Sequence, residues 1–576
     1  FGFDLDGRLT TPEADRNLIL IGRRPVEGGP RIFEQDVDTW YVGAGLEGVF
    51  DAGSRSLYWD VNLALSENKA EQTNFGSYDI RNIALALGDP AACAAVAGCT
   101  PLNIFGGPGT ITPDMLAFIS PVVRDNSQNE LALVTANLSG SLFDLPAGSV
   151  DFAAGVEHRR LEGSYQPDAL TVAGFYNGVP SLPTAGKYDV SEVYLEVNLP
   201  IFNNEERGRR LDFTVAGRYS DYSTGISQFT PKYGLRWQLA DELVLRASFA
   251  EGFRAPSIGE LFGSASRFDA QLDDPCTTPL LNPALAANCA ALGVPANYVQ
   301  PNPQISVTTG GNDQLDPEFA DSYTAGMVWS PSFLEDTAIS ERVDFEVTFY
   351  RHEVEGAIQA IDAQTQLNLC VQTLDPLYCS GIGRASTGGI NSFNNRLTNL
   401  GQINTDGWDV DLSWVFPMQD WGQLKMAWRN TFVTEYEAFG AAGQVQPQAP
   451  GREVVNSAIP EWTSSLVTEW ANGPWSASWT FRHISELRES CGRTITFAVC
   501  SDPATDTNIL DATTYSDVQL AYQFESLANL RLTFGANNLF DKDPPICLSC
   551  SLNGYDASTY DIPGGRFFYL RGEISF

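Results

Sequence analysis

The 576-residue chain contains no apolar run long enough to form a transmembrane helix, which takes about 20 consecutive residues. Basic residues are also scarce, because 35 Lys and Arg stand against 71 Asp and Glu, a formal net charge of −36. The sequence has no basic stripe of the kind that neutralises phosphates, so nucleic-acid binding is excluded as a function class. Histidine occurs only three times, which argues against a histidine-rich metal centre.

Alternation of apolar and polar residues is, by contrast, abundant. Apolar side chains recur at every second position from Leu57 to Leu65, and the same period of two returns throughout the chain. Further examples are the segments 193–199, 211–219, 243–250, 343–350, 475–482, 518–524 and 530–537. This period predicts β-strands with one apolar and one polar face. Alternation alone fits either a soluble sandwich or a transmembrane barrel whose apolar face meets lipid.

Connection lengths separate the sandwich from the barrel, because the links between about seventeen predicted strands alternate between short and long. Short links lie near 51–56, 144–148, 202–209, 240–242, 417–421, 472–474 and 525–528. Long links cover roughly 67–128, 164–187, 254–317, 356–395, 438–454, 489–512 and 542–562. Outer-membrane barrels have short periplasmic turns and long extracellular loops. The sequence therefore predicts an all-β, antiparallel transmembrane β-barrel.

Aromatic residues concentrate at strand ends beside the short links, where amphipathic rings favour a membrane interface. The members of this predicted periplasmic girdle are Phe50, Trp237, Trp329, Trp414, Phe416, Trp421, Trp470, Trp475 and Phe524. Scattered core aromatics are the alternative interpretation.

All ten cysteines lie in the predicted long loops and form neighbouring pairs. The pairs are Cys93/Cys99, Cys276/Cys289, Cys370/Cys379, Cys491/Cys500 and Cys547/Cys550. An even count confined to exposed loops predicts disulfides in an oxidising compartment. Metal or redox chemistry is the alternative for the CxxC spacing of Cys547 and Cys550, but no second such pair supports it.

Three stretches resemble the barrel signatures of TonB-dependent outer-membrane receptors, namely the strand and loop 245–262, the loop-to-strand segment 399–410 and the penultimate strand 534–542. A final strand ending on Phe576 resembles the assembly signal of outer-membrane barrels. The residues that carry the family signature are Arg246, Phe249, Gly252, Phe253, Arg254, Pro256, Glu260, Leu261, Phe262, Asn537, Asn538, Leu539, Phe540 and Phe576. The resemblance covers the chain from about residue 38 to its end.

The resemblance implies a 22-stranded barrel filled by an N-terminal plug that an inner-membrane energy complex pulls. Neither plug nor signal peptide is recognisable in a chain that opens on Phe1, so we expect plug and early strands upstream. Residues 1–37 are then predicted to be an extracellular loop region with the end of an early strand. Residues 38–576 are predicted to form the C-terminal part of the barrel.

The expected function is active uptake, without a cofactor, by a receptor in the outer membrane of a Gram-negative bacterium. Expected partners are the TonB complex, outer-membrane lipid and lipopolysaccharide. Parity places a set of charged residues toward the lumen or plug, namely Asp212, Arg218, Arg246, Asp344, Glu346, Lys425, Arg429, Arg482, Arg531, Arg571 and Glu573. Loops rich in Asn, Gln, Asp and Tyr slightly favour a neutral oligosaccharide over an iron siderophore.

Two other functions compete with active uptake. A passive diffusion channel would lack a plug, and the signature at 249–262 argues against it. An outer-membrane hydrolase needs a histidine on the lumen side, where parity places only His352, and no nucleophile motif stands beside it.

Overall fold

The computed structural model describes residues 23, 25–178, 181–278, 282–399, 401–440, 447–454, 456–491, 500–502, 504–524, 529–550 and 554–574. In chain order its strands are β1 (Ile32–Ala52), β2 (Arg55–Phe75), β3 (Val123–Leu145), β4 (Gly148–Gln166), β5 (Thr184–Asn204), β6 (Arg209–Tyr222), β7 (Ser227–Ala240), β8 (Leu243–Arg254), β9 (Ser266–Gln271), β10 (Gln304–Thr309), β11 (Glu318–Trp329), β12 (Arg342–Glu355), β13 (Ile358–Gln359), β14 (Ile382–Arg384), β15 (Ile390–Phe393), β16 (Thr398–Asn399), β17 (Gln402–Pro417), β18 (Gln423–Ala438), β19 (Arg452–Glu453), β20 (Ala458–Ile459), β21 (Trp462–Asn472), β22 (Trp475–Ile484), β23 (Leu487–Ser490), β24 (Thr507–Leu510), β25 (Thr513–Phe524), β26 (Leu530–Asn537) and β27 (Phe567–Glu573). The helices are α1 (Ile80–Leu87), α2 (Pro90–Ala94), α3 (Pro113–Ile119), α4 (Ala169–Val172), α5 (Ile258–Phe262), α6 (Ala286–Ala291), α7 (Ala363–Thr373) and α8 (Pro376–Cys379).

Seventeen of these strands form one antiparallel sheet, the wall of the barrel. The wall runs from β1 to β8 and continues through β11, β12, β17, β18, β21, β22, β25, β26 and β27. Each strand pairs with its neighbour in this order. In the described part of the chain β1 pairs with β2, β27 pairs with β26, and no pairing joins β1 to β27. The strand number and the antiparallel arrangement confirm the sequence prediction.

Antiparallel neighbours place successive connections on opposite rims of the wall. One rim carries the turns 53–54, 146–147, 205–208, 241–242, 330–341, 418–422, 473–474 and 525–529. The other carries the loops 76–122, 167–183, 223–226, 255–317, 356–401, 439–461, 485–512 and 538–566. All seven predicted long loops share one rim. The prediction missed two links, the four-residue loop 223–226 on the long-loop rim and the connection 330–341 on the turn rim.

The first five strands are longer than the sequence predicted, at 21, 21, 23, 19 and 21 residues. About 9–11 residues suffice for a tilted strand to cross a membrane. The predicted loops 67–128 and 164–187 accordingly shrink to 76–122 and 167–183, and β1 begins at Ile32, before the predicted boundary at residue 38. Strand pairing continues where both faces have become polar, so the alternation that marks a strand in the sequence disappears before the strand ends.

Apolar side chains lie on the outer face of the wall. Leu63 is paired with Ala44 and Val134, and the side chains of Leu63 and Val134 are 47% and 42% exposed. Two rings of the predicted girdle, Trp414 and Phe416, stack on each other beside a turn, and a third, Trp329, contacts Phe333, which the sequence analysis did not include. In the described residues, no helix is both long and apolar enough to cross a membrane.

Candidate functional site

The signature segment fastens the longest loop, 255–317, to the rim of the wall. At the end of β8, Arg254 donates hydrogen bonds of 2.7 and 3.0 Å to the carboxylate of Glu260 and of 2.6 and 2.8 Å to that of Glu318. Glu260 also closes a capping box with Ser257 at the start of α5. Burial raises the pKa of Glu260, but Arg254 and the Ser257 N–H together hold it below its ordinary value. Arg254 thus joins the end of β8 to helix α5 and to the start of β11.

Two apolar side chains of α5 complete this anchor. Leu261 is buried with Leu315 and Ile358, and the partly buried Leu397 packs against them; these residues come from the loops before β11 and after β12. The ring of Phe262 lies so close to Gly186 of β5 that a Cβ atom on this glycine would collide with it. These contacts explain why the signature continues past the strand into the loop.

Loops 255–317 and 356–401 pack together into one hydrophobic cluster, which we call the major loop core. Its members are Leu272, Cys276, Cys289, Val294, Tyr298, Val307, Ala363, Leu367, Val371 and Phe393. Helix α7 supplies three of them. The loops therefore have regular structure and a packed interior, which the sequence analysis did not predict.

A buried ion pair lies beside the major loop core. Arg384 of β14 donates hydrogen bonds of 2.5 and 3.0 Å to the carboxylate of Asp274, and the two side chains are 6% and 0% exposed. Arg384 also donates to the carbonyl of Gly388. Burial, assisted by the charge of Asp274, raises the pKa of Tyr298 to about 12. The pair fixes loop 255–317 to loop 356–401.

Loops 439–461, 485–512 and 538–566 form a second cluster, the minor loop core, around a four-stranded sheet of β19, β20, β23 and β24. Its members are Leu487, Leu510, Tyr515, Cys547, Cys550 and Tyr560. The carboxylate of Glu489 accepts hydrogen bonds from the backbone N–H groups of Leu548 and Ser549, at 2.7 and 2.6 Å. Burial and the nearby Asp556 raise the pKa of Glu453 to about 7.

The five cysteine pairs are disulfides in the structure, as the sequence predicted, and each lies within one extracellular loop. The bridges are Cys93–Cys99, Cys276–Cys289, Cys370–Cys379, Cys491–Cys500 and Cys547–Cys550. In this bonded form the sulfurs do not offer a metal the thiolates that the metal alternative requires.

Most of the cysteine side chains are buried, although all ten lie in the long loops as predicted. Seven of them have side chains that are at most 7% exposed. The other three, Cys99, Cys379 and Cys500, are partly exposed, and each is bonded to a buried cysteine. The seven are buried because the loops fold around interiors of their own. We call the long loops of this rim together the loop layer. The three bridges to Cys99, Cys379 and Cys500 join the surface of the loop layer to those interiors.

Glu453, Cys547 and Cys550 are the one group in the described residues whose donor atoms could converge on a metal ion. The two sulfurs are bonded to each other, so this group does not offer the thiolates that a metal site would use.

The strand register places all eleven predicted lumen residues on one face of the wall, opposite the apolar face. The pairing Asp212–Arg236–Arg246 crosses β6, β7 and β8. Arg246 contacts Glu346 of β12, two strands away across β11. Arg482 binds Asp517 and Asp561 at 3.1 and 2.7 Å. Opposite charges are therefore paired along this face, whereas their contact with a plug remains a prediction.

The buried partner Glu192 was missed by the sequence analysis. Its carboxylate, on the lumen side of β5, accepts hydrogen bonds of 3.0 Å from Arg159, 2.6 Å from Arg218 and 2.6 Å from Ser220. The donors lie on β4 and β6, the two strands that flank β5. Sequence alternation places Glu192 on the polar face but gives no sign of which partners lie across the sheet.

Two further signature residues, Phe249 and Asn538, have structural contacts. Phe249 lies between Tyr233 and Tyr323 on the outer face, with ring centroids 6.3 and 5.0 Å away. Asn538, at a φ of 46°, bonds both backbone groups of Lys542 and so forms the turn that ends β26. Phe540 is exposed. Phe576 lies outside the described residues, so its predicted role is untested.

His352 accepts or donates a hydrogen bond of 2.9 Å with Ser322 on the lumen face. The same cross-strand contact joins His158 to Ser191 and His483 to Thr514, both on the apolar face. Because the same kind of contact recurs outside the lumen, the His352–Ser322 hydrogen bond is interpreted as an ordinary contact between paired strand residues. Ser322 lies in the middle of β11 and not on the sharp turn that presents a catalytic serine.

The fold and the loop layer define an outer-membrane β-barrel of the receptor type. Residues 2–539 match the family described as TonB dependent receptor-like, beta-barrel, and the chain belongs to this family. It is an integral protein of the Gram-negative outer membrane. No protein with a curated description matches the chain.

Solved structures of three receptors are similar to this chain. The pyoverdine outer membrane receptor FpvA from Pseudomonas aeruginosa PAO1 has 13% identity and a TM-score of 0.51, over 94% of this chain and 62% of FpvA. The siderophore receptor PirA from Acinetobacter baumannii has 14% identity and a TM-score of 0.49, over 90% of this chain and 61% of PirA. The ferric-catecholate import receptor Fiu from E. coli K12 has 13% identity and a TM-score of 0.49, over 93% of this chain and 64% of Fiu. At these identities the similarity concerns the fold.

Proposed function

We propose that this protein is an energy-coupled import receptor, which captures a small ligand with its loop layer and passes it through the lumen. The supporting observation is the position of the two loop cores. Both are built from loops of the same rim, above strands whose inner face carries paired charges. A pore that only admits solutes has no need for this much packed structure around its outer opening.

The partner that supplies energy is the TonB complex, acting through a plug. Paired charges on the lumen face suit this role, because ion pairs between wall and plug can exchange for water when the plug moves. Arg246 and Arg482 are 47% and 40% exposed on the lumen face, so a plug that carries carboxylates could exchange with their present partners. The family assignment and these lumen side chains are what support the TonB complex as the partner.

We propose an oligosaccharide as the ligand class. A strongly anionic ligand needs free basic side chains, yet most arginines of the described loops are already bound to carboxylates. These pairs are Arg81–Asp79, Arg267–Asp269, Arg384–Asp274, Arg488–Glu486 and Arg566–Asp541. The loops instead offer amide and hydroxyl groups, which recognise neutral sugars by hydrogen bonds.

The test is binding followed by uptake. Calorimetry with the purified receptor should detect neutral oligosaccharides, and cells should accumulate the labelled sugar only while the proton gradient is intact. Uptake that survives a protonophore would show passive diffusion and would overturn the proposal. Replacing loop 356–401 with a short linker should abolish binding, while a receptor with turn 205–208 shortened is the matched control.

A ferric siderophore is the second candidate, favoured by the similarity to FpvA, whose structure is bound to pyoverdine. The same calorimetric panel decides between the two ligand classes. Binding of ferric siderophores without binding of sugars would reject the oligosaccharide while leaving energy-coupled import intact.

A further inference from the structure

The minor loop core contains two buried carboxylates that lack a cationic partner. Glu453 of β19 and Asp556 are 2% and 0% exposed, and in the described part of the chain neither belongs to an ion pair. The oxygens of Asp556 accept hydrogen bonds from Ser558 and Thr559. Glu453 differs, because its Oε1 accepts from the N–H of Ser457 while its buried Oε2 has no hydrogen-bond partner among the described residues. An unpaired buried carboxylate oxygen is costly, so this position favours a cation.

Two sulfur atoms lie beside this carboxylate. A carboxylate oxygen of Glu453 and the Sγ atoms of Cys547 and Cys550 lie within 4.8 Å of one another, and all three residues are buried. Thiolates and a carboxylate oxygen are ligands that Zn²⁺ takes, and two cysteines separated by two residues are a spacing found in its sites. The donor set is therefore that of a thiophilic cation, once the sulfurs are no longer bonded to each other.

The backbone around Cys547 suits a thiolate. The N–H of Cys550 donates a 3.0 Å hydrogen bond to the sulfur of Cys547, and such a bond stabilises negative charge on a sulfur. The carboxylate of Glu489 accepts from the N–H groups of Leu548 and Ser549, the two residues between the cysteines. These bonds hold the segment in place without the disulfide, so both sulfurs stay beside β19 when the bridge opens.

The Cys547–Cys550 bridge contributes less to the fold than the other four. Its cysteines are 3 residues apart in sequence, against 6 to 13 for the wider bridges, and a shorter ring removes less chain entropy. The bridge also stays within loop 538–566, whereas Glu453 belongs to loop 439–461. A cation held by all three side chains would join the two loops, which the disulfide does not do.

We propose that reduction of the Cys547–Cys550 disulfide converts this cluster into a binding site for a thiophilic divalent cation of the Zn²⁺ type. A small dithiol opens the bridge by exchange, in which the dithiol is oxidised to its own disulfide and its two thiol hydrogens pass to Cys547 and Cys550. The cation then binds both sulfurs and the Glu453 carboxylate. The protons of the two thiols, and that of the Glu453 carboxyl where it is protonated, pass to solvent. The fourth position is open to water.

The test titrates Co²⁺, a spectroscopic substitute for Zn²⁺, into the intact purified receptor after reduction by a dithiol and removal of the dithiol under inert gas. Thiolate ligands give Co²⁺ a sulfur-to-metal charge-transfer band. The reduced wild type should bind one Co²⁺ more than the reduced Cys547→Ser/Cys550→Ser variant, and the oxidised wild type should show no such band. Alkylation followed by mass spectrometry establishes that the bridge has opened.

Glu453→Gln keeps all ten cysteines and removes only the carboxylate ligand. It should lower the Co²⁺ affinity of the reduced receptor at least about tenfold, because even the outer-shell partners of a metal ligand contribute this much. Glu486→Gln is the matched control, since its carboxylate is exposed and paired with Arg488, and it should bind Co²⁺ like the wild type. Heat-resistant migration on a gel establishes that the wall of each variant is folded.

Zn²⁺ should also slow hydrogen exchange of β19 and of residues 547–550 together in the reduced wild type, but not in Glu453→Gln. Equal Co²⁺ binding by the reduced wild type and the double cysteine variant would overturn the proposal, as would wild-type affinity in Glu453→Gln. A Cys547–Cys550 bridge that stays closed under the dithiol would do the same. The Glu453→Gln comparison decides the matter even where the double cysteine variant fails to fold its loops.

Discussion

The barrel wall and the loop layer follow opposite rules of burial. In the wall, large apolar side chains such as Leu46 and Leu570 are 71% and 74% exposed. In the loop cores, Leu367 and Leu487 are fully buried. The same residue type therefore points outward in one region and inward in the other. The difference shows that the surrounding solvent, hydrocarbon or water, decides which face of a segment is apolar.

The two regions also differ in what stabilises them. The wall is held by the ladder of backbone hydrogen bonds that runs from β1 to β27, and these bonds have no competing water in lipid. The loop layer stands in water and contains only short helices and strands. It depends on side-chain packing, the buried Asp274–Arg384 pair and five disulfides. Substitutions and removal of disulfides should therefore affect the stability of the wall and of the loop layer differently.

The largest expected effect comes from Asp274→Ala, which leaves the guanidinium of Arg384 buried without its partner. Removing one member of a buried ion pair costs roughly 3–5 kcal/mol. We expect the major loop core to open while the wall stays folded. Limited proteolysis of loops 255–317 and 356–401 measures the first effect, and heat-resistant gel migration measures the second.

Glu486→Ala is the control, because its ion pair with Arg488 is exposed and contributes about 0–1 kcal/mol. Equal protease sensitivity of the two variants would contradict the assignment of the Asp274 pair as a support of the loop layer.

Leu63→Arg should destabilise the wall by about 2–4 kcal/mol, because it places a charge near the middle of the apolar band. Asn62→Arg, on the lumen face one residue away, is the control and should have little effect. Urea unfolding in lipid vesicles, followed by tryptophan fluorescence, compares the two. A greater loss in the Asn62 variant would show that the faces are assigned in reverse.

Removal of one loop disulfide, as in Cys276→Ser/Cys289→Ser, should destabilise the major loop core by about 2–3 kcal/mol, because the bridge closes a loop of 13 residues. The wall needs no such bridge, so the heat-resistant band should persist after full reduction. Its disappearance would mean that the disulfides hold the barrel itself. Ligand binding should weaken as the loops loosen.

The last prediction concerns pH and Glu453 in the minor loop core. Burial and Asp556 raise the pKa of Glu453 from 4.5 to about 7, so the folded state favours the protonated carboxyl. This contribution to stability is fully present below pH 4.5 and is lost as the pH rises through 7. Glu453→Gln should remove that pH dependence, measured by hydrogen exchange of loops 439–461 and 538–566. An unchanged pH profile in this variant would reject the assignment.

Much of the wall was predictable from the sequence, because a strand with lipid on one side must alternate. Residues Leu57 to Leu65 and the contrast between turn 241–242 and loop 255–317 suffice to predict a barrel with two unequal rims. The upper halves of β1 to β5 were not predictable. There water meets the outer face, as at Lys69 and Glu71, and the alternation of hydrophobicity ends although the hydrogen-bond ladder continues.

For the candidate site, the sequence determined which cysteines pair and which face each charged residue occupies. The tertiary structure decided which distant side chains contact each other. Spacing alone paired the ten cysteines, since each bridge closes a short loop, and parity alone assigned the lumen residues to one face. The joining of Asp274 to Arg384 and of Arg254 to Glu318 spans 110 and 64 residues of chain. Local periodicity carries no information about which distant carboxylate meets which arginine. Those contacts arise only when the ladder brings distant strands together and the loops above them exclude water.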